Sequence, residues 1–160
     1  MPSITVPSVA DSFVFARKTG DKSLTNTSTL EDDNHLLVAV GANATYTFDA
    51  FIVYDGATTG DIKVAFTVPA GATLLWSGVG ATTGISSAAA NFSDTVITAS
   101  GSAISWGARG AGTKTFAIIR GIVRTAGTAG NLTVQWAQDS SDATATTVFT
   151  DSWLTARKAA

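Results

Sequence analysis

The sequence predicts an all-β protein, an antiparallel β-sandwich of jelly-roll type preceded by an extended N-terminal arm, and three observations carry that prediction. The first is composition. The 25 Thr, 27 Ala and 15 Gly stand against one Glu and one Met, a mixture poor in helix formers other than Ala and rich in a strand-favouring residue. The second is alternation. In Asn43-Ala-Thr-Tyr-Thr-Phe-Asp-Ala-Phe-Ile-Val-Tyr54, residues Ala44, Tyr46, Phe48, Ala50, Ile52 and Tyr54 share one face while Thr45, Thr47 and Asp49 open the other, the period of a strand with one buried side. Phe51 and Val53 make the second face apolar as well, which predicts a strand running from a rim into a place covered on both sides. The third is spacing: nine or ten strand-like segments follow one another with turn residues between them, as in sandwiches. Nothing repeats at a fixed period, which disfavours propellers and solenoids.

Along the chain, residues 1–11 hold two of the three prolines and few packing residues, so they read as an extended arm. Residues 12–160 form one sandwich domain, a size that supports a real core. Ser12 to Lys18 is a short strand with Phe13 and Phe15 inward, Thr19 to Asn34 a polar loop, and His35 to Val40 the next strand. Gly41-Ala-Asn43 turns into the long strand just described, which Asp55-Gly56 ends. The short linker Ala57-Thr-Thr-Gly60 predicts a hairpin between that strand and Asp61 to Val68. Pro69-Ala-Gly71 breaks the chain before the strand Ala72 to Ser77, and the small residues of 78–90 read as a flexible surface loop. Further strands are expected at Asn91–Thr98, Ala103–Gly107, Lys114–Arg124, Asn131–Gln138, Ala143–Phe149 and Asp151–Arg157.

Composition also restricts function. Without cysteine there is neither a disulfide nor a thiolate metal site, so stability rests on packing and on association. The net charge is −2 and 14% of residues are charged, with no basic stripe of the type that nucleic-acid binders carry. Low charge with mean hydropathy of +0.25 predicts apolar surface covered by partners. The N-terminus has no basic region and no apolar run long enough for a signal peptide or membrane span, which argues against export by the general secretory route.

Residues that could carry chemistry each have a plainer reading. Glu31-Asp32-Asp33-Asn34-His35 is the densest set of polar ligands, but its spacing matches no calcium loop and adjacent carboxylates suit a solvated turn. His35 is the sole histidine, so a triad or a zinc site would have to be built on it, and no Gly-x-Ser-x-Gly elbow accompanies it. Asp49, Asp61, Asp94 and Asp151 are the carboxylates that a glycosidase could use, yet each sits at a strand edge or turn where solvation explains it. Trp76, Trp106, Trp136 and Trp153 could stack on sugars but lie beside aliphatic residues in alternating strands, which predicts core packing. Gly107-Ala-Arg-Gly-Ala-Gly112 has the glycines of a phosphate loop without the following helix and reads as a turn. No catalytic, cofactor-binding or metal-binding residue is therefore assigned, and no cofactor is expected.

Several segments together resemble a family of small phage virion proteins with uncharacterised relatives in actinobacteria and their phages: Ala16-Arg-Lys-Thr19, Thr29-Leu-Glu-Asp-Asp33, His35 to Val40, Asn43 to Phe48, Ile52-Val-Tyr-Asp55, Asp61 to Phe66, Pro69-Ala-Gly-Ala72 and Val134 to Gln138. The similarity runs over about residues 14–158 and brings no catalytic residues with it. The resemblance implies a non-enzymatic bacteriophage structural protein, and the size of the chain favours a capsid decoration or cement protein. Such a protein is made in the host cytoplasm, assembles on the virion as a homotrimer, and binds the major capsid protein or another virion protein, with no role for nucleic acid or membrane. The alternative is a carbohydrate-binding or host-recognition module of a tail or head fibre. Its mark would be two tryptophans or tyrosines open on one surface.

Overall fold

The backbone lies in two antiparallel sheets stacked face to face, in a computed structural model that describes residues 13–83 and 95–159. The expected arm at 1–11, the loop residues 84–90 and the carboxylate Asp94 lie outside the described residues. In chain order the strands are β1 (Phe13–Arg17), β2 (Lys22–Leu24), β3 (Glu31–Val40), β4 (Thr45–Gly56), β5 (Ile62–Thr67), β6 (Thr73–Gly80), β7 (Ala103–Trp106), β8 (Gly110–Arg124), β9 (Gly130–Ala137), β10 (Thr146–Val148) and β11 (Trp153–Lys158).

The order β1-β11-β4-β8 in the larger sheet faces β3-β9-β5-β7 in the smaller one, with β6 added beyond β8 and with β10 and β2 continuing the β11 and β1 lines. From β2 to β10 successive strands alternate between the sheets, and the orders β1-β11-β4-β8 and β3-β9-β5-β7 are the double Greek-key winding of a jelly roll. The expected hairpin between β4 and β5 does not form. β4 pairs with β8 from Thr45↔Arg124 to Tyr54↔Thr115 and with β11 on its other side, while β5 pairs with β7 and β9. The link, residues 57–61 between the observed strands, suits a crossing as well as a hairpin. Here Gly60 and Asp61 both donate to the Ala57 carbonyl and Asp61 takes φ 48, which turns the chain over to the other sheet.

Three further expectations change. The polar stretch 19–34 contains β2 and the first residues of β3, Gly78–Gly80 extends β6, and of the expected 91–98 strand the described part forms only an isolated bridge from Ile97 to Trp76. Phe13 and Phe15 point outward, about half exposed, and Val14 and Ala16 pack inward. Pairing with β11 sets that parity, because Val14 and Ala16 lie opposite Ala156 and Leu154, both buried.

The core follows the alternation read in β4, where Tyr46, Phe48, Ala50, Ile52 and Tyr54 are all buried. Aromatic rings cross the space between the sheets: Phe48 and Phe66 stand 5.0 Å apart, Phe66 meets Trp76 edge-on at 5.0 Å, and Trp76 approaches Trp106 at 6.4 Å. Room for them comes from glycines, Gly78 and Gly80 of β6 across the sandwich from Trp106 of β7, and Gly121 of β8 beside Phe48 in the same sheet. A Cβ on Gly121 would stand 2.4 Å from Phe48, and Cβ atoms on Gly78 and Gly80 would stand 2.6 Å from the Trp106 indole. Gly80→Ala and Gly121→Ala should each destabilise the fold by about 1–3 kcal/mol through overpacking, read as a lower midpoint in denaturant. Phe48→Ala should cost about 3–5 kcal/mol for the opposite reason, a cavity.

Candidate functional site

The densest polar constellation lies inside the sandwich. The period-2 inward face of β1, Val14 and Ala16, continues to Lys18, whose side chain is fully buried. Its Nζ donates at 2.6 Å to Oδ2 of Asp33, also fully buried, and Trp136 Nε1 donates to the same oxygen at 3.0 Å. Asp33 Oδ1 accepts the backbone amides of His35 at 2.9 Å and Leu36 at 3.2 Å. These two bonds stabilise a β-bulge, where the β3–β9 register shifts between Asp32 and Leu37. Burial alone pushes the Asp33 carboxyl up, but the hydrogen bonds from Lys18, His35 and Trp136 and the Lys18 charge outweigh it and hold the carboxyl below its ordinary value. Asp33 is thus no solvated turn residue, in contrast to the sequence expectation. The signal available was the inward position of Lys18, which demands a buried partner.

The remaining sequence candidates separate. Among the described residues no group of three or more His, Asp and Glu side chains is placed to hold a metal. Asp61 is buried and accepts the Ala108 amide at 2.8 Å, so solvation does not explain it either. Asp55 accepts the Gly112 amide at 2.6 Å, and Gly107 donates to the Ala81 carbonyl. Amide donors of the glycine-rich stretch are therefore spent on carboxylates and a carbonyl, a setting that repels phosphate. The Tyr54 hydroxyl donates to Gly107 O at 3.0 Å, and burial together with the Asp61 charge pushes its phenol far up. Trp76, Trp106 and Trp136 are buried in the core as expected. Trp153 differs: it is half-buried on the outer face of the larger sheet. Asp49 pairs there with Arg120 at 2.9 Å, and Asp151 pairs with Arg17.

That outer face of the larger sheet carries a run of half-exposed apolar side chains. Strand parity places Phe13 and Phe15 of β1, Trp153 of β11, Phe51 of β4, Phe116 and Ile118 of β8 and Val79 of β6 on it, in register across the sheet. The rings form one continuous series: Phe13 on Phe15 at 6.4 Å, Phe15 on Trp153 at 6.3 Å, Trp153 on Phe51 at 6.4 Å and Phe51 on Phe116 at 5.7 Å. Phe15 is 54% exposed, Phe116 48% and Ile118 45%. Among the described residues Arg17, Arg120, Arg124 and Arg157 border this stripe, with Asp151 and Asp49 paired to the first two, so its rim carries more basic than acidic charge. The second apolar face predicted for β4 from Phe51 and Val53 exists, but among the described residues nothing covers it. The run Phe116-Ala-Ile-Ile119, apolar on both parities, was the sequence signal for the same surface on β8.

Two outcomes follow. Lys18→Ala or Asp33→Ala should each cost about 3–5 kcal/mol, because either leaves a buried charge without its partner. The apolar pair Lys18→Met with Asp33→Leu should cost clearly less, as chemical denaturation of the three variants will show. In the ion-paired protein the Asp33 contribution is complete above the ordinary carboxylate value of 3.8 and is lost as pH falls through the lower folded value. By contrast, Phe116→Ser and Ile118→Ser should shift stability by no more than about 0.5 kcal/mol while reducing the binding of a hydrophobic dye.

No protein-family model matches the chain, and no curated protein matches it. Among solved structures it is similar to a chain in the structure of infectious bursal disease virus Gt strain, at 10% identity and TM-score 0.22, with 99% of this chain and 42% of that one covered. A chain of the Gx strain gives 9% identity and TM-score 0.23, with 91% and 38% covered. The chain thus spans less than half the length of either.

Proposed function

We propose that this protein is a non-enzymatic structural component of a bacteriophage virion, a capsid decoration or cement protein that binds the assembled head as a homotrimer. The observation that carries the reading is the exposed aromatic and aliphatic stripe across the outer face of the larger sheet. Contiguous apolar surface with a polar border is the usual mark of a protein contact. The basic rim selects the partner: a head-protein surface with an apolar centre and acidic residues around it, which would also speed encounter. The resemblance of several segments to small phage virion proteins supports the same class. A protein that binds only the finished lattice stabilises it by mass action, in proportion to occupancy.

The fibre-module alternative is favoured by no observation on this surface. Both tyrosines and three of the four tryptophans are buried, and the open rings are phenylalanines, which offer a sugar no hydrogen bond.

Quantitative mass spectrometry of purified virions should find a copy number tied to capsid symmetry; a handful of copies per particle would refute a decoration role. Phe116→Asp combined with Ile118→Asp should leave the thermal midpoint close to that of the wild type and lower occupancy on heads at least tenfold in a co-sedimentation assay. Undiminished occupancy would move the contact to another face.

A further inference from the structure

We propose that Lys18 and Asp33 condense into an intramolecular isopeptide bond that joins the two sheets covalently. The inference is independent of the virion reading and rests on the geometry of the buried pair. Lys18 Nζ lies 2.6 Å from Asp33 Oδ2, both side chains are fully buried, and the residues are 15 apart in sequence, one just past the end of β1 and the other in β3. An ion pair held in this environment bears the desolvation cost of two charges. A neutral amide does not.

The groups around Asp33 are arranged as acyl transfer requires. Oδ1 receives the His35 and Leu36 amides, and Oδ2 receives Lys18 Nζ and Trp136 Nε1. A proton crosses the short hydrogen bond from Nζ to Oδ2, which leaves a neutral amine beside a neutral acid. The Nζ lone pair then attacks Cγ, and negative charge develops on Oδ1, where two backbone amides already point, as in an oxyanion hole. The tetrahedral species collapses by breaking the Cγ–Oδ2 bond. Oδ2, carrying the first proton and taking a second from Nζ, departs as water. One ammonium and one carboxylate become one secondary amide and one water, with charge and atoms balanced and no oxidant or activated donor consumed. Since the donors around Asp33 favour the ionised form, the neutral pair is the minor species, and the bond accumulates after folding.

The test is the intact mass of the full-length wild-type protein, unfolded for measurement after prolonged incubation at neutral pH. The expected mass is one water below that of the sequence, with a cross-linked peptide joining the segments that contain Lys18 and Asp33 and no tryptic cleavage after Lys18. Lys18→Met and Asp33→Ala should both show the full sequence mass, a readout that holds whether or not they fold. A wild-type mass equal to that of the sequence overturns the proposal. So does a missing water that persists in Lys18→Met, which would place the dehydration elsewhere.

Discussion

The carboxylate of Asp33 ties the line of β1, in the larger sheet, to β3 and β9 of the smaller one. Its four hydrogen bonds reach Lys18 beyond β1, Trp136 in β9, and the two amides that close the β3 bulge. A sandwich held only by apolar contacts can slide, because dispersion and burial are non-directional. A buried charge with a fixed set of donors cannot slide without losing them, at several kcal/mol. The lysine is held in turn by the chain around it: Lys18 N donates to Ser152 O and Asp151 N donates to Lys18 O, where the β1 and β11 lines break. Position of β1, register of β3 and orientation of Trp136 thus depend on one side chain.

Around that anchor, packing works by matching large residues to absent ones. The Trp106 indole occupies space that side chains at Gly78 and Gly80 would fill, and Phe48 does the same over Gly121. Two sheets whose inner faces were uniformly large would stand too far apart to interdigitate. The glycines weaken their own strands, since each carries the backbone entropy of a residue without a side chain. That loss is offset by burying tryptophan and phenylalanine rings, which contribute far more area.

Much of this was legible in the chain. Alternation in Ala44–Tyr54 gave the buried face of β4 correctly, because period 2 is a property of the strand alone. The partner of β4 was not legible: a short link after Gly56 suits a hairpin and a crossing equally, and the choice is made by β8, more than fifty residues away. Parity of β1 failed for a related reason. Reading Phe13 and Phe15 as inward follows hydrophobicity, whereas the alternative phase buries Val14, Ala16 and Lys18, and only the presence of Asp33 across the core makes that phase affordable. Glu31–His35 looked like a solvated turn because its decisive partner stands in a different sheet.

The outer stripe has the opposite status, since the fold does not require it. Jelly-roll winding is specified by the inner faces and the connections, and polar residues at Phe15, Phe116 or Ile118 would satisfy the sheet equally well. Each such residue is about half exposed and so forgoes part of the roughly 1.5–3 kcal/mol that full burial contributes, and the phenylalanines with Trp153 make a series of stacked and tilted rings through four adjacent strands. Folding stability therefore gives no reason to keep them there, whereas association does. A sheet anchored by Lys18 and Asp33 already presents that series, so little side-chain or backbone entropy would be lost in the proposed association.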